Sequence, residues 1–253
     1  MPVPVIPSSD AQLLEVFSSI QGEGLLAGYR QIFIRMAGCN LNCAYCDTDF
    51  SSRPHCRIED SPGSGQFLTA RNPVALEVMS GILDSWVGKT AGMHHSISLT
   101  GGEPLLQKTV LLEWVPVLRD ILPLHLETNG TCPDALEGLL PYLSWISMDV
   151  KLESMSGSPT PWNLHRAFLK LASRSEVCVK AVVGEETPLD EMHALGRFVH
   201  AMAPECTIFL QPVTRQNKVT VPAFRLLELQ TALAKEHANI RVVPQTHVFL
   251  GLL

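Results

Sequence analysis

The sequence lacks the marks of several large protein classes. Basic residues are not in excess: Lys plus Arg number 19 against 25 Asp plus Glu, for a net charge of −6. A chain that works along a nucleic-acid backbone usually carries the opposite balance, because each phosphate contact wants a cation. Direct nucleic-acid binding is therefore not expected. No run approaches the roughly 18 consecutive apolar residues of a membrane-crossing helix, so no membrane span is expected either. The start, MPVPVIPSS, has neither the basic head nor the continuous apolar stretch of a signal peptide. No internal repeat or long low-complexity tract is present. A disulfide framework is missing too. There are 7 Cys, an odd number, with three crowded together and the rest scattered at Cys56, Cys132, Cys178 and Cys206. This pattern reads as a metal site plus buried thiols in a reducing compartment, the cytoplasm.

What is present is the material of a sizeable core. The 253 residues are 46% hydrophobic and 17% charged, which excludes a disordered chain. Short apolar runs at 31–37, 96–99, 124–127, 145–150, 177–183, 207–211 and 240–243 read as strands. They alternate with helical patterns at 72–86, 105–120, 133–140, 162–173, 189–202 and 222–237. Asn72 is placed to cap the first helix and Pro73 to open it, while Pro116 weakens the second. Repeated βα units imply a parallel sheet with right-handed crossovers. About six units are too few for a closed eight-fold barrel, so the expected fold is α/β, a partial (β/α) barrel in a single domain over 1–253. The stretch 53–67, RPHCRIEDSPGSGQF, reads as a loop, an insertion or lid.

In such folds chemistry collects at the carboxyl ends of the strands. The polar segments 39–48, 100–103 and 127–129, together with Asp149, Val150, Lys151 and Gln211, all follow predicted strands and so aim at one mouth. The first of these segments contains Cys39, Cys43 and Cys46 in the spacing C-x3-C-x2-C, within a loop over 38–48. Thiolates suit iron–sulfur clusters and zinc. A structural zinc wants a fourth ligand, for which His55 or Cys56 stands in the sequence. A cubane held by three thiolates keeps one iron open, and an open iron can chelate S-adenosylmethionine (SAM).

The three-cysteine loop, with aromatic Tyr45 before Cys46, resembles the signature of the radical SAM superfamily. The TGGEP of 100–104 resembles that superfamily's GGEP motif. The match sharpens in SSIQGEG at 18–24, RMAGCNL at 35–41, CDT at 46–48, LETNGT at 126–131 and VPQTH at 243–247. Together they resemble the 7-carboxy-7-deazaguanine synthase family over nearly the whole chain. The resemblance implies a carbon–nitrogen lyase of deazapurine biosynthesis that contracts 6-carboxy-5,6,7,8-tetrahydropterin to 7-carboxy-7-deazaguanine and releases ammonia. It also implies a 4Fe–4S cluster, SAM and Mg2+, a homodimer, and an external one-electron donor of flavodoxin or ferredoxin type.

Roles carried over from the family fall on named residues. Cys39, Cys43 and Cys46 hold the cluster, and Thr48 ligates Mg2+ with Asp47 orienting its water. Ile20, Gln21, Gly22 and Glu23 meet the edge of the pterin, where paired donors and acceptors are wanted. Arg35 takes the substrate carboxylate in a bidentate fork, or else is a structural ion-pair partner. Thr100 and the terminal Leu253 also contact substrate. Gly102, Asp149, Val150, Lys151 and Gln211 contact SAM, although Asp-Val-Lys departs from the commoner Ser-Pro-Lys of the family. Two rivals remain: an activase of glycyl-radical enzymes, against which the QGE of 21–23 argues, and a non-catalytic Cys-bound metal or electron-transfer module.

Overall fold

Alternation inside the strands sets the architecture. The computed structural model describes residues 9–46, 48–89 and 91–252. Its first half contains β1 (Leu13–Ile20), β2 (Arg30–Met36), β3 (His55–Glu59), β4 (Phe67–Arg71), α1 (Leu76–Lys89), β5 (Ser96–Gly101), α2 (Lys108–Ile121) and β6 (Leu124–Thr128). Then come α3 (Pro133–Leu136), β7 (Leu143–Asp149), α4 (Glu153–Ser156), α5 (Trp162–Ala172), β8 (Glu176–Val183), α6 (Leu189–Met202) and β9 (Thr207–Pro212). A small hairpin of β10 (Thr214–Arg215) and β11 (Lys218–Val219), α7 (Ala223–Ala234), β12 (Ile240–Val242) and α8 (Thr246–Leu250) complete the chain.

Ten strands form one sheet in the order β12-β9-β8-β7-β6-β5-β2-β1-β3-β4. From β2 through β5, β6, β7, β8 and β9 to β12 every pairing is parallel. The sheet stays open, with β12 at one edge and β4 at the other. This is the expected partial barrel of βα units. Among the described residues no helix is long and apolar enough to cross a membrane.

The two faces of the parallel strands differ in chemistry. Ile32, Ile34, Met36, Ile97, Leu99, Leu124, Leu126, Ile146, Met148, Val179, Ala181, Val183, Ile208 and Leu210 face the helices and are buried in one apolar core. The helices answer with stripes at helical spacing, such as His165, Phe168, Leu169 and Ala172 on α5. Burying each large aliphatic side chain there stabilises the fold by about 1.5–3 kcal/mol. The alternate residues, among them Arg35, Thr100, Glu127, Ser147, Asp149, Lys180 and Gln211, turn to the concave side and line a cavity. Period two thus separates the folding face from the chemical face.

Three expectations need correction. The stretch 53–67 is not a loop throughout: β3 pairs parallel with β1, β4 pairs antiparallel with β3, and the irregular parts are residues 53–54 and the turn between the two strands. Its Pro, Gly and Ser mark that turn, while the strand content comes from pairing with a distant partner. Asn72 does not cap α1, which starts at Leu76. Its amide instead donates to Leu13 O (2.7 Å) and Arg53 O (3.0 Å) and accepts from Leu13 N (3.1 Å), tying β1 to the edge hairpin. The helix expected over 133–140 is a single turn, α3, followed by a 3-10 turn at Leu140–Tyr142. Pro116 lies inside α2 without ending it.

Candidate active site

The carboxyl ends of the strands surround a cavity of about 680 Å³. Cys39, Cys43, Cys46 and Thr48 form one wall, Ile20, Gln21, Gly22 and Glu23 another, and Arg35, Thr100, Gly102, Asp149, Lys151 and Gln211 fill in between. Val150 is the exception: its side chain is fully buried in the core and its N–H donates to Lys180 O (2.8 Å). Asp47 and Leu253 lie outside the described residues. His247 also lines the cavity.

Among its described residues the cysteine loop has no helix or strand, and neighbours hold it in place. Gly38 N donates to Phe50 O (2.6 Å), Ala44 N to Ser156 O (2.9 Å), and Cys46 N to Cys43 O (3.0 Å). Tyr45 anchors it to the end of β7, since Lys151 Nζ donates to its hydroxyl (2.8 Å) and lies over its ring. All three thiols are free, two partly exposed and Cys46 exposed. Partial burial pushes the Cys43 thiol up, Lys151 pulls it down, and the fields of Asp149, Cys39 and Cys46 raise it again. Among the described residues no three His, Cys, Asp or Glu side chains close tightly around a single metal ion. Three free, soft donors spread around one mouth fit a cluster that spans several ångströms.

The GGE turn after β5 presses against this loop. A Cβ on Gly102 would collide with Gly38 O and stand 2.8 Å from Cys39 Cβ, so only glycine fits. Glu103 N donates to Gly38 O (2.9 Å). The Glu103 carboxylate is fully buried and accepts from Leu105 N (3.0 Å), Asn129 N (2.7 Å) and Thr128 Oγ1 (2.9 Å). Burial drives its pKa up to about 7 against the pull of those donors. Asn129 in turn donates to Asn40 Oδ1 (2.9 Å), and Asn40 Nδ2 to Thr131 Oγ1 (2.8 Å). The turn after β6 thus braces the cysteine loop. Glu103→Ala should destabilise the fold by about 3 kcal/mol or more, because buried donors lose their acceptor. Glu103→Gln, which keeps the shape, should cost less. Urea unfolding measures both, and an alanine variant within about 1 kcal/mol of the parent would refute this bracing.

Across the cavity floor runs a chain of alternating charge. Lys151 Nζ lies 2.9 Å from Asp149 Oδ2, Lys180 Nζ lies 3.0 Å from the same oxygen, and Lys180 also bonds Glu23 Oε2. Gln211 (3.1 Å) and Gln245 (2.9 Å) donate to Glu23 Oε1. Burial works to raise the Glu23 pKa, but Lys180, Gln245 and the field of His247 outweigh it and hold the pKa at about 2. Asp149 is lowered in the same way: burial opposes ionisation, and Lys151 with Lys180 overcomes it. Its Oδ1 is buried with no hydrogen-bond partner among the described residues, an acceptor left over for a ligand.

Gln21 is used inside the protein. Its amide nitrogen donates to Gln31 (3.0 Å) and Glu127 (3.1 Å), and its oxygen accepts from Glu23 N (3.0 Å). Arg35 Nε stands 3.0 Å from Glu15 Oε1, at an angle too bent for a hydrogen bond, and its guanidinium lies over Phe17. Glu15 is its ion-pair partner among the described residues, and the guanidinium still lines the cavity. The carboxyl-terminal segment closes one side: Thr246 N donates to Gly22 O (3.0 Å), and a Cβ on Gly22 would lie 2.6 Å from His247 N.

Sequence reasoning missed Lys180, Glu15, Gln245 and Ser147, and did not assign Glu127 a role. A lone Lys in the apolar run EVCVKAVV was a usable signal for Lys180. Glu15 and Gln245 carried none, since their roles arise from partners far away in sequence.

A mouth at the ends of parallel strands, ringed by three free thiols and a glycine turn, is the architecture of a radical SAM enzyme. The Radical SAM superfamily model matches residues 33–168. The chain is 44% identical to the 7-carboxy-7-deazaguanine synthase of Geobacter sulfurreducens, over 96% of this chain and 98% of that protein. It is 35% identical to the synthase of Methanothermobacter thermautotrophicus, again over 96% and 98%. The chain belongs to the 7-carboxy-7-deazaguanine synthase family. The crystal structure of Escherichia coli QueE shares the fold, with a TM-score of 0.58 at 24% identity over 94% of this chain and 95% of that one. Membership of the superfamily implies a 4Fe–4S cluster and SAM. Neither the activase nor the non-catalytic module is favoured by these relatives.

Proposed function

We propose that this chain converts 6-carboxy-5,6,7,8-tetrahydropterin to 7-carboxy-7-deazaguanine with release of ammonia, as a carbon–nitrogen lyase of deazapurine biosynthesis. The observation that carries this reading is near-full-length identity of 44% to a named synthase. The meeting of the QGE loop, the thiols and Arg35 around one cavity adds to it.

In this reading Cys39, Cys43 and Cys46 hold the cluster, while Gly102, Asp149, Lys151 and Gln211 receive SAM. Val150 contributes main chain only. Bound together, cluster and SAM supply one-electron chemistry that begins with hydrogen removal from the substrate. The protein's part is placement. The main chain of Ile20 to Gly22 and the ionised carboxylate of Glu23 meet the donor-rich pterin edge. Gln21 sets the positions of Glu23 and Glu127 rather than offering its own amide. Arg35, already steadied by Glu15, takes the substrate carboxylate with its remaining nitrogens. Thr48 would offer a hydroxyl oxygen to Mg2+, an oxygen-seeking ion that would supply positive charge for the substrate carboxylate. Thr100 lies beside the substrate, and α8 with the following residues excludes water from one side. A cluster on free thiols needs a reducing compartment and a one-electron donor, which supports a cytoplasmic setting with a flavodoxin or ferredoxin type of partner. The homodimer of the family belongs to the same reading.

The test is an anaerobic assay of the reconstituted protein with SAM, dithionite and the carboxytetrahydropterin, with and without Mg2+. Carboxydeazaguanine should form, and Mg2+ should raise its rate about tenfold. SAM cleavage without that product would remove the substrate assignment. Product formation indifferent to Mg2+ would remove the metal's role.

A further inference from the structure

A buried lysine demands a reason, because its ammonium loses water that only close carboxylates can replace. Lys180 sits in the middle of β8, between Val179 and Ala181, which face the helical core. The parallel register sets it directly beside Asp149 of β7. Its side chain crosses the cavity floor and reaches Glu23, 157 positions away in sequence. The ammonium is thereby the shared counter-ion of two carboxylates, one from the QGE loop and one from the end of β7. Glu23 stands in the loop assigned above to the pterin edge, and Asp149 at the strand end assigned to SAM.

We propose that Lys180 is a positioning residue that couples the two subsites, so that filling one fixes the carboxylate that serves the other. The proposal rests on the assignments of Glu23 and Asp149 made under the proposed function. Its physical basis is stiffness. Asp149 Oδ2 is clamped between Lys151 and Lys180, and Glu23 is held by Lys180, Gln211 and Gln245. A ligand donor that pulls on the free Asp149 Oδ1 therefore moves Lys180, and Lys180 moves Glu23. The same ammonium keeps Glu23 ionised. The charged and titratable groups that face this pair are Asp149 and Lys151 at the end of β7, Tyr45 from the cysteine loop, Glu127 and His125 from β6, Cys178 from β8 and His247 from α8.

Binding linkage tests the coupling, since two ligands that share a mechanical element must alter each other's affinity by the same factor. Equilibrium dialysis of the cluster-loaded wild-type protein should show that saturating SAM tightens the carboxytetrahydropterin by about fivefold or more. In Lys180→Met that factor should fall below about two, and the ratio of product to 5′-deoxyadenosine should drop about tenfold while cluster content is kept. Lys180 helps hold the Glu23 pKa at about 2, so Glu23 without its cation takes up a proton more easily, and product formation by Lys180→Met should fall off at a higher pH than in the parent. If Lys180→Met does not fold, Lys180→Arg retains the charge but moves its position, and it should still lose at least about half of the coupling factor.

A wild-type protein that makes product yet shows no linkage overturns the proposal. So does a folded variant of either kind with the parental coupling factor, or one in which cluster content, SAM cleavage and product all fall in proportion. Wild-type failure to make the product at all would strike the substrate assignment instead, and so is told apart.

Discussion

Cys43→Ala should leave a folded protein without a stable cluster and without SAM cleavage above background. The side chain belongs to an irregular loop that main-chain bonds of Gly38, Ala44 and Cys46 keep in shape, so removing one thiol takes nothing from the core. The unfolding midpoint should move by no more than a few degrees. The loss is chemical: two thiolates in place of three do not retain a cubane that must also leave one iron open. Iron and sulfide per chain, the broad absorption of the reconstituted protein, and 5′-deoxyadenosine formation should collapse together. Cys56→Ala is the control, because Cys56 is buried in β3 and does not line the cavity. It was also the alternative fourth ligand of a zinc site. A Cys43→Ala protein that keeps its iron and still cleaves SAM would refute the ligand assignment.

Gly102→Ala should reduce SAM cleavage by about 100-fold or more while the cluster is still bound, since displacement of about an ångström at a reacting centre carries that penalty. The cause is space. The new methyl would press on Gly38 O and on Cys39 Cβ, both in the loop that follows β2. The far end of a flexible side chain could swing aside, but backbone held by Glu103 N and Phe50 O cannot move without disturbing the cysteine loop. The expected signature is weaker SAM binding with nearly normal iron content. Parental SAM affinity in Gly102→Ala would show that the turn has slack that this geometry denies. A companion change on the helical side, such as Phe168→Ala, should behave in the opposite way: stability falls by about 3–5 kcal/mol, and the protein that remains folded stays active.

Much of this molecule was readable before its structure. The runs at 96–99 and 124–127 were recognised as strands from their apolar residues, and the helix at 189–202 matches α6 residue for residue. The three-cysteine spacing and TGGEP lie in local sequence and pointed to the family that the comparisons show. Most described residues expected at strand ends do line one cavity, but Val150 turns to the core and Glu103 is buried behind the glycine turn. The alternation itself was under-used. In β5, Ser96 and Ser98 sit between Ile97 and Leu99, and in β8, Cys178 and Lys180 alternate with Val179 and Ala181. Such strands are apolar on one side only, and the polar side leads to Thr100 and Lys180 in the cavity. The edge hairpin was missed for another reason. β3 is a strand because β1 offers it a partner, and short strands with Pro, Gly and Ser around them have little preference of their own.

What the chain determined by itself was whatever depends on near neighbours: the period of two that gives each strand its two faces, the helical stripes, and a loop of three thiols whose spacing suits a cluster. Only the tertiary structure decided which distant charges meet. Glu23 and Lys180, Glu15 and Arg35, and Gln245 and Glu23 become partners through strand register and the return of the carboxyl-terminal segment. Coulomb attraction between buried groups is strong at about 3 Å and is screened by water when the chain is open. Those pairings therefore exist only once the fold has removed the water between them.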